Sequence, residues 1–217
     1  MQNWARASYP SLAQERVMVV NEQAQERGVG LETWDLRDSS SPKHTNFRIP
    51  LPSRFCFPQE MSECEQLLRC YCNCRRYIVE STGDLLIVFR YCVEAVDMDG
   101  NIIDDMFEYE DSSEPVYGTV RFDVYKLHRQ QNKWSYIKSI GDRALFLGIN
   151  HSLSLSSKDF PELRGNSIYF TDDDLDELRT EETSIGGLDL GIFNLEDNSV
   201  KPYYPRGNLQ KIIRPPI

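Results

Sequence analysis

From Tyr77 onward, apolar and polar positions alternate largely with a period of two, the pattern of strands rather than helices. Tyr77 to Ser81, the turn Thr82-Gly83-Asp84 and the run Leu85 to Tyr91 predict a β-hairpin. Its second strand is apolar on both faces and so belongs in the middle of a covered sheet. Thr119 to Leu127 resumes the alternation through Val120, Phe122 and Val124. His128 to Lys133 is a polar connection, and Trp134, Tyr136 and Ile140 set against Ser135 and Ser139 make the returning strand. These four strands predict one antiparallel sheet. A second set is read in Ala144 to Gly148, Leu153 to Ser156, Ser167 to Phe170, Asp189 to Leu195 and Val200 to Tyr204. The Gly141-Asp142 turn carries the chain from one set to the other.

The N-terminal part is less regular. Ser11 with Gln14 reads as a capping box ahead of Ala13, Val17, Val20 and Ala24 on one helical face, with Gly28 as a stop. Val17 to Val20 equally reads as a buried strand, because three of its residues are β-branched; a helix is expected for Asn21 to Arg27. Ser39 to Pro58, with prolines at 42, 50, 52 and 58, predicts a loop, and Glu60 to Leu68 a short helix of weak amphipathicity. Residues Asp97 to Glu114 are acidic and loop-like.

Phe122-Asp123-Val124-Tyr125-Lys126-Leu127 and Leu190-Gly191-Ile192-Phe193-Asn194-Leu195 share their alternation, and each precedes a polar turn and an aromatic-bearing strand. Trp34-Asp35-Leu36 is a poorer third copy. A repeated strand-turn-strand unit is what the blades of a β-propeller produce, although repetition alone leaves a β-sandwich open.

Composition narrows the function classes. The chain has 217 residues, 40% of them hydrophobic, enough for a real core, and a net charge of −10 argues against nucleic-acid binding, which needs a concentrated basic surface. No apolar run approaches the roughly 18 residues of a membrane span, and Met1 to Ala7 lacks the apolar core of a secretory signal, so an intracellular location, cytoplasmic and/or nuclear, is expected. Cys56, Cys64, Cys70, Cys72, Cys74 and Cys92 are expected as free thiols. On one strand Cys70 and Cys74 lie about 13 Å apart, too far to share a tetrahedral zinc.

No G-x-S-x-G elbow, P-loop, G-x-G-x-x-G or H-E-x-x-H occurs. Glu80, Asp84 and Asp142 could serve as glycosidase carboxylates, yet each falls at a strand end or turn where acidic residues are commonplace. The run Asp172, Asp173, Asp174, Asp176, Glu177 lacks the spacing of a calcium loop and reads as a solvated loop or a docking surface for a basic partner. Asn150-His151-Ser152 fits a glycosylation acceptor, expected to stay unmodified without secretion. Trp134 and Tyr169 are expected in the core. The chain is therefore expected to have no catalytic, metal or cofactor residues, and to be no enzyme.

Tyr77-Ile78-Val79-Glu80-Ser81 with Gly83-Asp84-Leu85-Leu86-Ile87-Val88 resembles the YLVES-GDLL-V motif of the KIB-type β-propeller domain of plant F-box proteins. Phe122 to Leu127, Lys133-Trp134, Ile140 to Gly148, Asn166 to Asp173, Leu190 to Phe193 and Pro215-Pro216 follow the same family's order, so the likeness is strongest over 77–217. The resemblance implies a propeller behind an N-terminal F-box, the F-box docking a Skp-type adaptor of an SCF-type ubiquitin ligase and the propeller selecting the target. No F-box and no GS-x-GWL segment is found. The expectation is a truncated or internally deleted member: residues 1–30 a remnant after a missing F-box, residues 31–217 a partial, mainly all-β propeller of antiparallel four-stranded blades. Its expected role is protein binding, with an adaptor partner only in a longer form. The alternative is a stand-alone binding module or a degenerate product without a ligase role.

Overall fold

In the computed structural model, the described residues are 4–8, 16–21, 30–35, 41, 43–48, 72–96, 116–128, 130–148, 151–172 and 189–203. Their regular elements are all strands, in three sheets. The first sheet holds β1 (Trp4–Ser8), β2 (Arg16–Asn21), β3 (Gly30–Asp35) and β4 (Lys43–Arg48), each antiparallel to the next in chain order. One reading left open is decided here in favour of the strand, and one expectation is corrected. Arg16–Asn21 is a strand, so the helix proposed to start at Ser11 does not run through it: the β-branched Val17, Val19 and Val20 favour a pleated backbone over a helical one. Lys43–Arg48 is also a strand, inside a stretch read as a loop. Pro42 and Pro50 flank it rather than interrupt it, which is where a residue without an N–H donor is tolerated. The helix expected over 60–68 and the acidic stretch 97–114 lie outside the described residues, as does the helix expected over 21–27 beyond Asn21.

The second sheet is the predicted four-stranded meander, β5 (Asn73–Ser81), β6 (Asp84–Val96), β7 (Val116–His128) and β8 (Lys133–Ile137). The β5–β6 hairpin closes through Thr82 at φ 52° and Gly83 at φ 83°. Two successive positive φ values match the right-handed twist of a hairpin, and glycine meets the second without strain. The Glu80 carboxylate fixes this turn by accepting the Gly83 N–H at 2.6 Å. Between β6 and β7 the register shifts at Tyr91/Cys92 and again at Val93/Val96, the mark of bulges.

The third sheet contains all five strands of the second predicted set: β9 (Arg143–Leu147), β10 (Ser152–Ser156), β11 (Ser167–Phe170), β12 (Gly191–Asn194) and β13 (Val200–Pro202). Its order, β10-β9-β11-β12-β13, departs from a four-stranded antiparallel blade, because β11 pairs with β9 in parallel. A parallel pair needs a crossover longer than a tight turn. Here β10 doubles back on the outer side of β9, and residues 157–166 return the chain so that β11 starts in the same direction as β9.

The repeated sequence unit has a structural counterpart. The pairs β3–β4, β7–β8 and β12–β13 are the last two strands of their respective sheets. Asn132, immediately before β8, and Asn198, shortly before β13, both turn at positive φ, 48° and 57°.

The second and third sheets pack face to face. Tyr77, Val79, Leu86, Val88, Phe122 and Val124 from the second interdigitate with Leu145, Leu147, Ile168, Phe170, Phe193 and Leu195 from the third. Phe122 sits between Phe170 and Phe193, with ring centroids 5.2 and 5.3 Å away. The opposite face of the second sheet buries Ile78, Leu85, Ile87, Phe89, Tyr91, Tyr125, Leu127 and Trp134. β6 is thus apolar on both faces because both faces are covered, as its unbroken hydrophobic run requires.

Candidate functional site at the joint between two sheets

Within the apolar run of β6 stands one charge, Arg90, and it is fully buried. An isolated guanidinium in such a place is prohibitively expensive, so its partners decide what it does. Its Nε donates to Thr119 Oγ1 at 2.7 Å, and Nη1 donates to Tyr77 Oη at 3.1 Å and to the Thr171 carbonyl at 2.9 Å. Nη2 donates to the Asp189 carbonyl at 3.1 Å and to Asp189 Oδ2 at 2.8 Å. A guanidinium has five N–H groups, and these bonds match all five. Asp189, itself 2% exposed, supplies the countercharge, and its Oδ2 also accepts the Thr119 hydroxyl at 2.5 Å. The Phe170 ring lies under the guanidinium, 4.9 Å from Cζ to the ring centroid.

Tyr77, Arg90 and Thr119 come from β5, β6 and β7; Thr171 directly follows β11, and Asp189 precedes β12. The cluster therefore joins the polar edge of the shared core to the third sheet. Its chemistry is that of a charge-balanced joint: the Arg90 N–H groups and the Thr119 hydroxyl are engaged, and the geometry presents no activated nucleophile. A charge inside an otherwise apolar run was the signal that could have found Arg90 in the sequence. Thr119 and Asp189 gave none.

The second joint is the turn from β8 to β9. Gly141 takes φ 64°, a conformation that favours glycine. Asp142 Oδ2 accepts the Ser156 hydroxyl at 2.9 Å and lies 3.4 Å from Lys158 Nζ, while the Asp142 carbonyl accepts the Ser157 N–H at 2.8 Å. Asn166, at φ 52°, accepts the Ile140 N–H through Oδ1 at 2.9 Å. Gly165 leaves room for this corner: a Cβ there would meet Ser157 Oγ at 3.0 Å and the Asp142 Cα at 3.2 Å. The hydrogen bond from Ser156 holds the Asp142 carboxyl below the usual carboxylate range, against the opposing effect of burial and with lesser help from Lys158. Ser199 does the same for Asp197 in the β12–β13 turn.

The carboxylates considered for glycosidase chemistry all have structural occupations. Glu80 closes the β5–β6 turn, Asp84 pairs with Lys126 at 2.6 Å, and Asp142 builds the corner just described. Cys72 is buried and Cys74 half-buried against the same cluster, so the strand puts both on one face; Cys70 is outside the described residues. Among the described residues no group of three His, Cys, Asp or Glu side chains is placed to hold a metal ion, and no helix is long and apolar enough to cross a membrane. Of the acidic run only Asp172 is described, and its Oδ2 accepts the Asp189 N–H at 3.3 Å. Trp134 is in the core as expected, whereas Tyr169 is half-buried, stacked on Phe146 with centroids 4.7 Å apart on the far face of the third sheet. His151 is exposed, and Asn150 lies outside the described residues.

Comparison with known proteins agrees with this architecture. The KIB1-4 beta-propeller family model matches residues 11–194. F-box protein SKIP23 of Arabidopsis thaliana is 26% identical over 153 residues, covering 65% of this chain and 35% of that protein. Two further proteins of that plant, one named an F-box protein and one a putative F-box protein, are each 33% identical, over 82 and 128 residues, covering 38% and 59% of this chain and 17% and 31% of their own lengths. The chain thus spans about a third or less of the curated relatives it matches. No solved structure matches it.

Two outcomes follow for the joints. Arg90→Met strands the Asp189 carboxylate and lowers the unfolding free energy by about 3–5 kcal/mol in urea titrations. Adding Asp189→Leu recovers more than half of the loss, because no charge is then left unpaired. For Asp142 the folded-state pKa is depressed, so its contribution is complete above the unfolded value near 3.8 and is lost as pH falls through the lower folded value. Urea midpoints measured from neutral pH down into the acid range show a shallower acid loss for Asp142→Asn than for the native chain, and no difference in slope at neutral pH.

Proposed function

This chain belongs to the KIB1-4 beta-propeller family, and we propose that it is a protein-recognition module which, in a longer form bearing an F-box, selects targets for an SCF-type ubiquitin ligase. The observation that carries this reading is the family match over residues 11–194 together with relatives named as F-box proteins. An F-box would supply contact with a Skp-type adaptor, and the sheets would present the loops that recognise the target. The module works by binding and carries no catalytic step; the carboxylates that could have formed an acid–base pair are engaged in turns and ion pairs. Its place of action is the cytoplasm and/or the nucleus. The net charge of −10 supports a protein target over a nucleic acid.

Co-purification with a Skp-type adaptor tests the division of labour. The 217-residue chain alone is expected not to retain the adaptor, and the same chain behind an F-box is expected to retain it and to assemble with the cullin. Retention of the adaptor by the chain alone contradicts the assignment of adaptor contact to the F-box. Failure of the F-box-bearing form leaves a stand-alone binding module.

A further inference from the structure

The three sheets open like a fan from their inner edges. β5, the edge of the second sheet, lies against the edge strand β1 of the first sheet and the edge strand β10 of the third, while β4, β8 and β13 form the opposite edges. The second sheet, in the middle, is buried on both faces. The end sheets are not. On the near face of the third sheet Leu145, Ile168 and Phe193 have no exposure, whereas in the far-face row Leu153 is 40% exposed and Phe146, Tyr169 and Ile192 are half-buried. In the first sheet the strand register puts Val17, Val19 and Trp34 on one face and Val20, Leu31 and Phe47 on the other. A sheet with apolar positions on both faces requires cover on both, and the neighbouring second sheet supplies one.

We propose that the far face of the third sheet is a docking surface for the first sheet of a second copy of this chain, so that two copies, each with three sheets, close into one six-sheet ring. The family is a propeller, and propellers close with about four to eight sheets, so one fan is too few and two fall within the range. The contact continues one already present in the molecule. The second and third sheets meet face to face through apolar side chains, with β5 beside β10 at the inner edge. The same relation, repeated beyond the third sheet, lays another sheet over Leu153, Phe146, Tyr169 and Ile192. The Phe146 and Tyr169 rings are stacked within 12° of parallel, which gives that row a flat centre suited to a sheet. Such a contact is head to tail, and a two-fold rotation makes it twice, so each copy covers the open end of the other and none is left to grow.

Sedimentation equilibrium of the 217-residue chain over a concentration series tests this. A reversible equilibrium between monomer and dimer, without larger species, is expected. A monomer at every concentration overturns the proposal and leaves the face to further blades of a longer chain, and growth beyond the dimer overturns ring closure. Leu153→Glu places a charge where a single copy leaves the side chain partly in water, so it is expected to keep the thermal midpoint of the dilute monomer and to weaken the dimer at least about tenfold. A dimer of unchanged affinity overturns the proposal. Lysine cross-linking of the native chain, mixed from isotopically light and heavy copies, needs no variant. Links between Lys201 in β13 of one copy and Lys43 in β4 of the other are expected. Links between copies that join only Lys201 to Lys201 show the far face meeting itself and overturn the proposal.

Discussion

A positive charge with no access to water governs how these sheets meet. Arg90 is buried in a strand whose other residues are almost all apolar, and leaving its guanidinium unpaired would cost several kcal/mol, a large fraction of the net stability of an ordinary domain. The fold meets this constraint by bringing Thr119, Tyr77, Asp189 and the Thr171 carbonyl to it from four other chain segments. The demand is directional, unlike apolar burial. Phe122, Val88 and Leu86 would accept the third sheet in several rotations, but the planar fork of the guanidinium accepts one. Apolar contact supplies the drive to pack and Arg90 selects the packing.

That division accounts for other features at the same interface. Phe122 lodges between Phe170 and Phe193, so the aromatic contact is continuous from β7 across to β11 and β12. At the opposite border of the interface Ser81 and Ser154 are joined by a 2.8 Å hydrogen bond between hydroxyls, and Ser154 also accepts from Arg143 Nε at 2.9 Å. The Gly141-Asp142 corner, braced by Ser156 and Asn166, sets the angle at which the chain leaves one sheet for the next. The far face of the third sheet has Leu153, Phe146, Tyr169 and Ile192 in one cross-strand row, with Leu153 40% exposed. Propeller blades ordinarily cover one another's faces, and this row has the composition such a cover requires.

The sequence revealed local features and concealed long-range ones. The β5–β6 hairpin was legible because Thr82-Gly83 is a turn signal between apolar runs, and all nine strands from β5 to β13 follow period-two or continuous apolar patterns. β4 was not legible, since Lys43–Arg48 is polar at most positions and flanked by prolines that mark loops as often as strand boundaries. β2 was ambiguous because its apolar run is too short for periodicity to separate strand from helix. The parallel pairing of β9 with β11 was hidden for a different reason: side-chain alternation is the same whichever way a neighbouring strand runs. The Arg90 cluster was hidden by distance, as Asp189 is 99 residues away and Thr119 is 29. Only the arginine itself, misplaced in an apolar run, could be seen.

If Arg90 and the core around Phe122 unite the second and third sheets, the two must open together. Native-state hydrogen exchange of the Val88 amide in β6 and the Ile168 amide in β11 measures this directly, since each reports the free energy of the opening that exposes it. The same opening free energy is expected at both positions in the native chain, and an equal reduction at both in Arg90→Met. A lower opening free energy at Ile168, unaffected by the substitution while Val88 stays protected, would show that the third sheet opens independently and would contradict the account.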